Sequence, residues 1–549
     1  MIRINQVQIS IFEKGPEKAL VEKVAKMLHI PTDGFRKFRV LRRSIDARDK
    51  NDIRFSYIVE VKLRDTFTGP SRKTEQEYVD KLRNGNITVS EYIPVTIPDA
   101  VTEGKDVNEN RPVIVGAGPC GLFTALALCS AGLRPVIAER GKKAEDRKTD
   151  VDRFFETGVL DTSSNVQFGE GGAGLFSDGK LNTSVKDKES YIRFVLETFA
   201  EFGADPDILV NARPHIGTDV LFDVIKNIRS FIEENGGTFY YQTKFTGFET
   251  ENGQIKAAIF EGAIHRIETD TVILATGHSA RDTYHVLQES GVTMEKKPFA
   301  VGVRIQHPQS LIDEGFYGEE DLEEKTEILG PAAYNLSHRC KNGRSVFSFC
   351  MCPGGYVINS SSEEGGTVVN GMSYSDRDSG AANSAIIVNV DPEDFPGDTL
   401  SGLSFQREME EKAYALAGGL IPYESYREFK EGAEHPTGDA GCFTPAFCGM
   451  ALPADVRSVL PGFVADAVTE GVDSFGERIR GFDGETAVIA GVESRTSSPV
   501  RVIRNDMHET KITGLYAAGE GAGYAGGITS AAVDGLITAI HVIEHYNGR

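Results

Sequence analysis

Nowhere in the 549-residue chain do eighteen or more apolar residues run together, so no membrane-spanning helix is expected. The opening MIRINQVQIS has neither the basic start nor the apolar stretch of a signal peptide, and no leader is expected. Cysteines are few: seven, odd in number and scattered, which is unlike a disulfide framework. These absences point to a reduced, cytoplasmic protein. Positive charge is also scarce. The 59 Lys and Arg against 81 Asp and Glu leave a formal charge of −22, which argues against non-specific binding of nucleic acid or anionic membrane by the whole chain. Fixed-period repeats and low-complexity segments are missing too. What is there, 40% apolar and 26% charged residues, is the composition of a soluble globular protein, and the length asks for two or three domains.

The charge is uneven. Residues 1–100 hold 19 Lys and Arg against 14 Asp and Glu, a net of +5 that leaves −27 for the rest. In EKALVEKVAKMLH (17–29), Leu20, Val21, Val24 and Leu28 recur at helical spacing. FRKFRVLRRSID (35–46) and IRFSYIVEVKL (53–63) read as strands around a polar DARDKN. A small basic α+β domain is therefore expected over 1–97 and a polar linker over 98–110. Its Arg36, Lys37, Arg39, Arg42, Arg43 and Arg48 fit a solvated sheet face. RNA is the alternative partner, disfavoured because the segment lacks the aromatic pattern of an RNA-stacking sheet.

From residue 112 the text changes. PVIVGAGPCGLFTALALCSAGLRPVIAERG is a buried strand, a glycine turn, an apolar helix and a second strand ending in an acid. Gly116, Gly118 and Gly121 spell GxGxxG, and the helix opens at about Pro119. The first glycine permits the tight turn, the second a close approach of backbone to a pyrophosphate, and the third helix–strand packing. The helix N-terminus offers free N–H groups and partial positive charge to phosphates. Glu139, 23 residues after Gly116 and followed by Arg140, can accept from ribose hydroxyls. A dinucleotide site is expected here.

Two distant segments bear on which dinucleotide. TVILATG (271–277) is a strand ending in Ala275, Thr276 and Gly277; ITGLYAAGEGAGYAGGITSAAVDGLITAIHVIEHY (512–546) is a strand, a glycine-rich turn and a long helix. Both resemble signatures of FAD-binding flavoproteins of the two-dinucleotide-binding, glutathione-reductase-like superfamily. The resemblance implies that the ATG strand passes close to FAD and that Glu520, after Gly519, bonds the ribityl chain. A helix starting near Ile528, after Gly526 and Gly527, would aim about half a positive charge at the flavin pyrimidine edge. NVQFGEGGAGLFSDGKLNTS (165–184) looks like the flavoprotein loop that wraps the cofactor. Gly169, Gly171, Gly172 and Gly174 would then supply N–H donors, and Lys180 would reach the isoalloxazine. In such folds the backbone near Phe245, in TFYYQTKFTGFE (238–249) after a helix at 218–235, pairs with adenine.

More closely, the chain resembles a bacterial family of FAD-dependent (NAD/FAD-utilising) dehydrogenases whose substrate is not established. The resemblance rests on VGAGPCGLF, SNVQFGEGGAGLFSDGKLNT, PHIGTD, PFAVGVRIQHPQ, FCMCPGGYV, GVESRTSSPVR and GLYAAGEGAGYAGGITSAAVDG, which span most of 110–549. It implies FAD and a redox fold. The GxGxxG spacing recurs after residue 121 at 169–174 and 521–526, both within the glycine-rich segments just described for the FAD site, so a single dinucleotide domain is expected. The fold class is α/β: a Rossmann-like FAD-binding domain (111–295 and 486–549) interrupted by a β-rich substrate or cap domain (296–485).

Reactive groups should come from that insertion. Cys350 and Cys352 in FCMCPGGYV have four readings: a reduced pair at a turn, a thiol/disulfide partner for flavin, an acid or nucleophile, and half of a metal site. No His/Cys pair follows at zinc spacing, so no metal is expected. Arg304 and His307, at offset three on one strand, face opposite sides. Arg495 in SRTSS could anchor an anionic substrate or the flavin pyrimidine; for all three, a structural ion pair is the simpler alternative. The expected function is FAD-dependent oxidation or reduction by hydride exchange at flavin N5. The partners would be a small-molecule substrate and an electron partner, NAD(P)H among the candidates. The alternatives are RNA modification and a non-catalytic flavin sensor.

Overall fold

A computed structural model describes residues 1–68, 72–90, 93–101, 107–183 and 190–548. Residues 102–106 of the expected linker and Ser184, at the end of the glycine-rich segment, lie outside the described residues. The chain forms two compact units.

The first unit holds residues 1–95 together with 186–215 and 313–332, so two later excursions join the N-terminal segment. Its sheet runs in the order Phe35–Asp46, Arg54–Leu63, Ile2–Ser10, Ile87–Val89, all antiparallel. Alternation places Ile2, Ile4, Val59 and Val61 on one face. The helix Pro16–Met27 lays Leu20 and Val24 on that face, with Leu28 just beyond its end. Each such buried side chain contributes about 1.5–3 kcal/mol, so a charge at Val24 would undo the unit. On the strand Phe35–Asp46, Arg39 pairs with Glu197 at 3.5 Å, and Arg43 with Asp207 at 2.8 Å. Arg48 pairs with Asp46 at 2.6 Å. These acids occupy half of the basic set.

The second unit holds 96–185, 216–312 and 333–549. It is mixed α/β around a parallel sheet in the order Leu515–Ala517, Val272–Leu274, Val113–Val115, Val136–Ala138, Thr238–Tyr240. Four of these strands are wholly buried, which is why they read as unbroken apolar runs. The helices Pro119–Ser130 and Ile528–Asn547 pack together, Thr124 Oγ1 donating to the Gly535 carbonyl at 3.1 Å. The expected strand 238–249 is two strands. Gln242 takes φ +51°, and Thr243–Glu251 leaves the parallel sheet to pair with Gln254–Gly262.

Between Val272–Leu274 and Leu515–Ala517 the chain builds a seven-stranded sheet. Its order is Ser337–Arg339, Ser345–Cys352, Ala381–Val390, Phe299–Pro308, Val488–Glu493, Ile421–Ser425, Ala451–Pro453. Val488–Glu493 pairs with Phe299–Pro308, so this sheet runs past the expected boundary at 485, while 313–332 belongs to the other unit. Among the described residues no helix is long and apolar enough to cross a membrane.

Candidate functional site

In the parallel sheet, Val113–Val115 has its successor in sequence on one side and Val272–Leu274 on the other. The chain thus leaves in opposite directions from their carboxyl ends, the place where open α/β sheets bind ligands. The fingerprint sits there. Gly116 has φ +106°, and a Cβ on it would lie 2.7 Å from the Ala275 carbonyl oxygen, so this turn against the Ala275-Thr276-Gly277 segment tolerates only glycine. Gly118 caps the helix Pro119–Ser130 with no side-chain partner, leaving the first N–H groups, Gly121's included, for a ligand. Glu139 is buried and accepts from the N–H groups of Ala117 (2.8 Å), Gly141 (2.9 Å) and Gly169 (3.0 Å). Two carboxylate oxygens offer about four acceptor sites, so capacity remains for a hydroxyl. Arg140 stacks 4.4 Å over Phe168 and pairs with Asp282 at 2.7 Å.

The glycine-rich segment lies on this turn: Gly171 N–H donates to Ala117 O at 2.8 Å, and Gly172 abuts Gly118. What fixes it is Arg147, fully buried, which the motifs gave no reason to select. Its guanidinium donates to the carbonyls of Asn165 (2.8 Å), Val166 (2.8 Å), Gly169 (3.3 Å), Glu170 (2.7 Å) and Gly172 (2.9 Å). Burial lowers its pKa to about 10, still charged at neutral pH. Gly174 abuts Ile528 and Pro119, so the segment touches the N-termini of both helices.

The second helix, Ile528–Asn547, is also uncapped at Gly527. Thr529 Oγ1 in its first turn donates to Leu181 O at 2.8 Å, tying it to the residue after Lys180. Gly519 N–H donates to Asp534 at 2.7 Å, and Asp534 is held by Arg504 at 2.7 Å. Thr276 O accepts from Gly521 N–H at 3.1 Å, linking the ATG strand to the late motif. A Cβ on Gly277, Gly526 or Gly527 would meet no atom within 4 Å, so these three line open space. His278 is buried, 3.4 Å from Glu520, with neither ring nitrogen hydrogen-bonded. Two uncapped helix ends, glycine walls and a buried unsatisfied imidazole fit an anionic dinucleotide. Phe245 lies on Thr243–Glu251, an edge strand, with its ring 6.0 Å from Phe260.

The cysteine pair lies at the other end of the glycine-rich segment. Phe349 opposes Ala385 and Cys352 opposes Asn383, so Ser345–Cys352 carries one extra residue, with Cys350 at φ +44°. This bulge re-aims the strand end. Cys352 Sγ is fully buried, 3.7 Å from Lys180 Nζ and 3.8 Å from Arg304 Nη1, and donates to Cys350 O at 3.3 Å. Lys180 pairs with Asp178 at 2.8 Å, and Asp178 also accepts from Ser373 Oγ and from Arg377 at 2.8 Å. Arg304 is wholly buried, bidentate on Glu493 (2.7 and 3.2 Å), with Asn383 at 2.7 Å and Asn370 at 3.1 Å. A Cβ on Gly371 would lie 2.0 Å from Arg304 Nη1, so the guanidinium passes through a gap that only glycine leaves.

Lys180 and Arg304 are the cations at Cys352 Sγ, each held by an acid, Asp178 and Glu493, and Asp178 is further shared with Arg377. The Cys350 thiol is accordingly held well below the usual range, by its hydrogen bond with Cys352 and then by Lys180 and Arg304, while the Cys352 thiol is pushed up. The pair thus carries one thiolate before it carries two.

His307 and Arg495 lie apart from this cluster. His307, on the opposite face of its strand, is wholly buried against Phe482 (4.2 Å between rings) and bonds Phe482 O at 2.7 Å. Burial drops its pKa to about 4, as befits a core histidine. Arg495 bonds Ser362 at 2.6 Å and shares Glu410 (2.7 Å) with Arg281 (2.8 Å) in a closed ion cluster. Asp178, two residues before Lys180, and Glu493, two before Arg495, were readable as acids inside conspicuous motifs. Among the described residues one group also has metal-ligand atoms close together: His338, Cys340 and Glu470, within 4.8 Å of one another.

The family described as FAD-dependent protein, C-terminal domain-like, matches residues 298–496, and a domain of unknown function (DUF8436) matches residues 1–62. A Clostridium beijerinckii protein, named only as uncharacterized, is 39% identical over 551 residues, covering 100% of this chain and 99% of that one. Among solved structures, the flavin-dependent brominase Bmp2 is 10% identical with a TM-score of 0.36, covering 80% of this chain and 79% of its own. An L-amino acid deaminase from Proteus vulgaris is 15% identical with a TM-score of 0.24, covering 40% of this chain, which spans 62% of the deaminase's length. At these scores the structural likenesses carry no argument about the site. The chain belongs to the same family as the Clostridium beijerinckii protein, and it is an FAD-dependent protein.

Proposed function

We propose that the protein is an FAD-dependent oxidoreductase acting on a small molecule, built as a Rossmann-like, glutathione-reductase-like FAD-binding domain with an inserted β-rich cap. The observation that carries this reading is the meeting of three glycine-rich segments and two uncapped helix N-termini at one end of the parallel sheet. When bound, FAD supplies two-electron redox chemistry. The chain's own residues do the rest. N–H groups after Gly118 and Gly527 receive anionic groups, Glu139 accepts from a ribose hydroxyl, and His278 and Glu520 line the late motif. Lys180, oriented by Asp178, presents its ammonium beside Cys352 and would hold an anionic substrate group there. The electron partner is diffusible, NAD(P)H among the candidates, since the later GxGxxG spacings, at 169–174 and 521–526, both lie in segments assigned to the FAD site. A cytoplasmic site of action suits the reduced cysteines. With Arg39, Arg43 and Arg48 held by acids, the RNA reading gains no support.

The test is to purify the full chain, record its visible spectrum, and survey reductants and acceptors for turnover. Bound flavin with multiple turnovers by one partner class is expected; a protein that neither carries nor takes up FAD would overturn the reading. Gly116→Val, which forces a side chain into the Ala275 carbonyl, should abolish flavin retention with unchanged far-ultraviolet circular dichroism.

A further inference from the structure

We propose that Cys350 and Cys352 form a redox-active dithiol that cycles through an intramolecular disulfide, Cys350 being the attacking sulfur and Cys352 the resolving one. This deepens the flavoenzyme reading of the same site, though its thiol chemistry stands without the cofactor. Three observations carry it. The pair stands two residues apart at the strand end, where extended backbone separates alternate Cα atoms by about 6.6 Å, within the upper limit of about 6.8 Å for a disulfide. Cys352 Sγ donates to the Cys350 carbonyl at 3.3 Å, so its sulfur is turned back toward Cys350. Exposure is divided as the two roles demand, Cys350 half-buried and Cys352 fully buried.

The surroundings supply the charge. Lys180 Nζ and Arg304 Nη1 lie 3.7 and 3.8 Å from Cys352 Sγ and stabilise a thiolate shared by the pair. The remaining five cysteines lack this setting: desolvation pushes Cys120, Cys129, Cys340 and Cys448 up, and Cys442 stands exposed among none of these cations. The step balances with a disulfide of the glutathione class as oxidant. The Cys350 thiolate attacks one sulfur, the S–S bond breaks, and one thiolate leaves and is protonated. Cys352 then gives up its proton and attacks the Cys350 sulfur of the mixed disulfide, forming the internal S–S bond and expelling the second thiol. Two cysteine thiols are oxidised and one external disulfide is reduced to two thiols. Running backwards, the same pair would take electrons from a dithiol, and its link to the proposed flavin site is Lys180, 3.7 Å from Cys352, whose neighbour Leu181 accepts from Thr529 in the first turn of Ile528–Asn547.

The experiment equilibrates the purified holoprotein with glutathione buffers of graded redox ratio, quenches it with acid, alkylates free thiols and maps peptides by mass spectrometry. In oxidising buffer the 350–352 peptide should lose two hydrogens and its alkylation, while the other cysteines still alkylate. Cys352→Ser should trap glutathione on Cys350, and Cys350→Ser should trap none. Lys180→Met, checked for folding by circular dichroism, should slow alkylation of Cys350 about tenfold at neutral pH. A 350–352 peptide that stays fully alkylated in excess glutathione disulfide would overturn the proposal. So would a Cys352→Ser protein that traps no adduct, or a Lys180→Met rate equal to wild type. The visible spectrum of the same sample separates the two readings: yellow protein without the disulfide sinks the dithiol alone, and colourless protein with it sinks the flavoenzyme alone.

Discussion

Replacing Arg147 with methionine removes a charged donor from five carbonyls in one loop, those of Asn165, Val166, Gly169, Glu170 and Gly172. Hydrogen bonds to a charged group contribute about 1.5–3 kcal/mol each. They are not additive here, because one guanidinium must be desolvated to make all five and burial disfavours its charged form. Two bonds' worth, about 4 kcal/mol, is a defensible net. That free energy acts on the loop rather than the core, since the carbonyls belong to residues 165–172. Opening of the loop should therefore become about a thousandfold more frequent. Cleavage by a protease at low concentration tracks the open population, so the rate of nicking between residues 160 and 183 should rise by up to that factor, while cleavage elsewhere stays unchanged. FAD affinity should fall by less, only as far as the closed population itself is depleted. Arg147→Lys keeps the charge but offers three donors instead of five and should lie between. Equal nicking rates in wild type and Arg147→Met would refute the reasoning.

Two further substitutions test the remaining charges. Glu410→Gln leaves the two nearly buried cations Arg281 and Arg495 with Glu363 alone, at 2.5 and 3.4 Å, as counter-charge; breaking a buried pair costs about 3–5 kcal/mol, an upper bound here, read as a lower midpoint in urea, and an unchanged midpoint would contradict the cluster's role. His307 is neutral in the folded protein because burial drops its pKa to about 4. Above about pH 6.5 it is neutral unfolded as well; between there and about 4 only the unfolded chain binds the proton. Stability should therefore fall by about 3 kcal/mol as pH drops through that window. His307→Phe should lack this part of the acid loss, and identical pH dependence in the two proteins would refute it.

Much of the parallel sheet was legible because its strands are short, buried on both faces and followed by glycines that each have a mechanical reason. Val113–Val115, the Pro119 helix start and the Ile528 helix start lie where the sequence pattern placed them. The failures share one cause, which is that tertiary pairing overrides local pattern. Residues 238–249 alternate like one strand, yet Gln242 turns the chain so that its halves join different sheets. Segments 186–215 and 313–332 join the N-terminal unit, a choice made by long-range contacts such as Arg43 N–H to Val210 O at 2.6 Å. Arg147 was invisible because its partners are backbone carbonyls, which carry no sequence signature. Reading Cys350 and Cys352 as a motif gave the sulfurs but neither the bulge nor the cations from two other segments that set their charge.

The most direct test of a flavoenzyme with an adjoining dithiol is an anaerobic count of electrons taken up per chain. Protein pre-oxidised with glutathione disulfide, freed of it and titrated with dithionite should bleach its FAD and accept four electrons, two for the flavin and two for the disulfide; Cys350→Ser should accept two. A colourless protein that cannot be loaded with FAD would contradict the flavoenzyme, and a wild-type count of two would contradict the dithiol beside it.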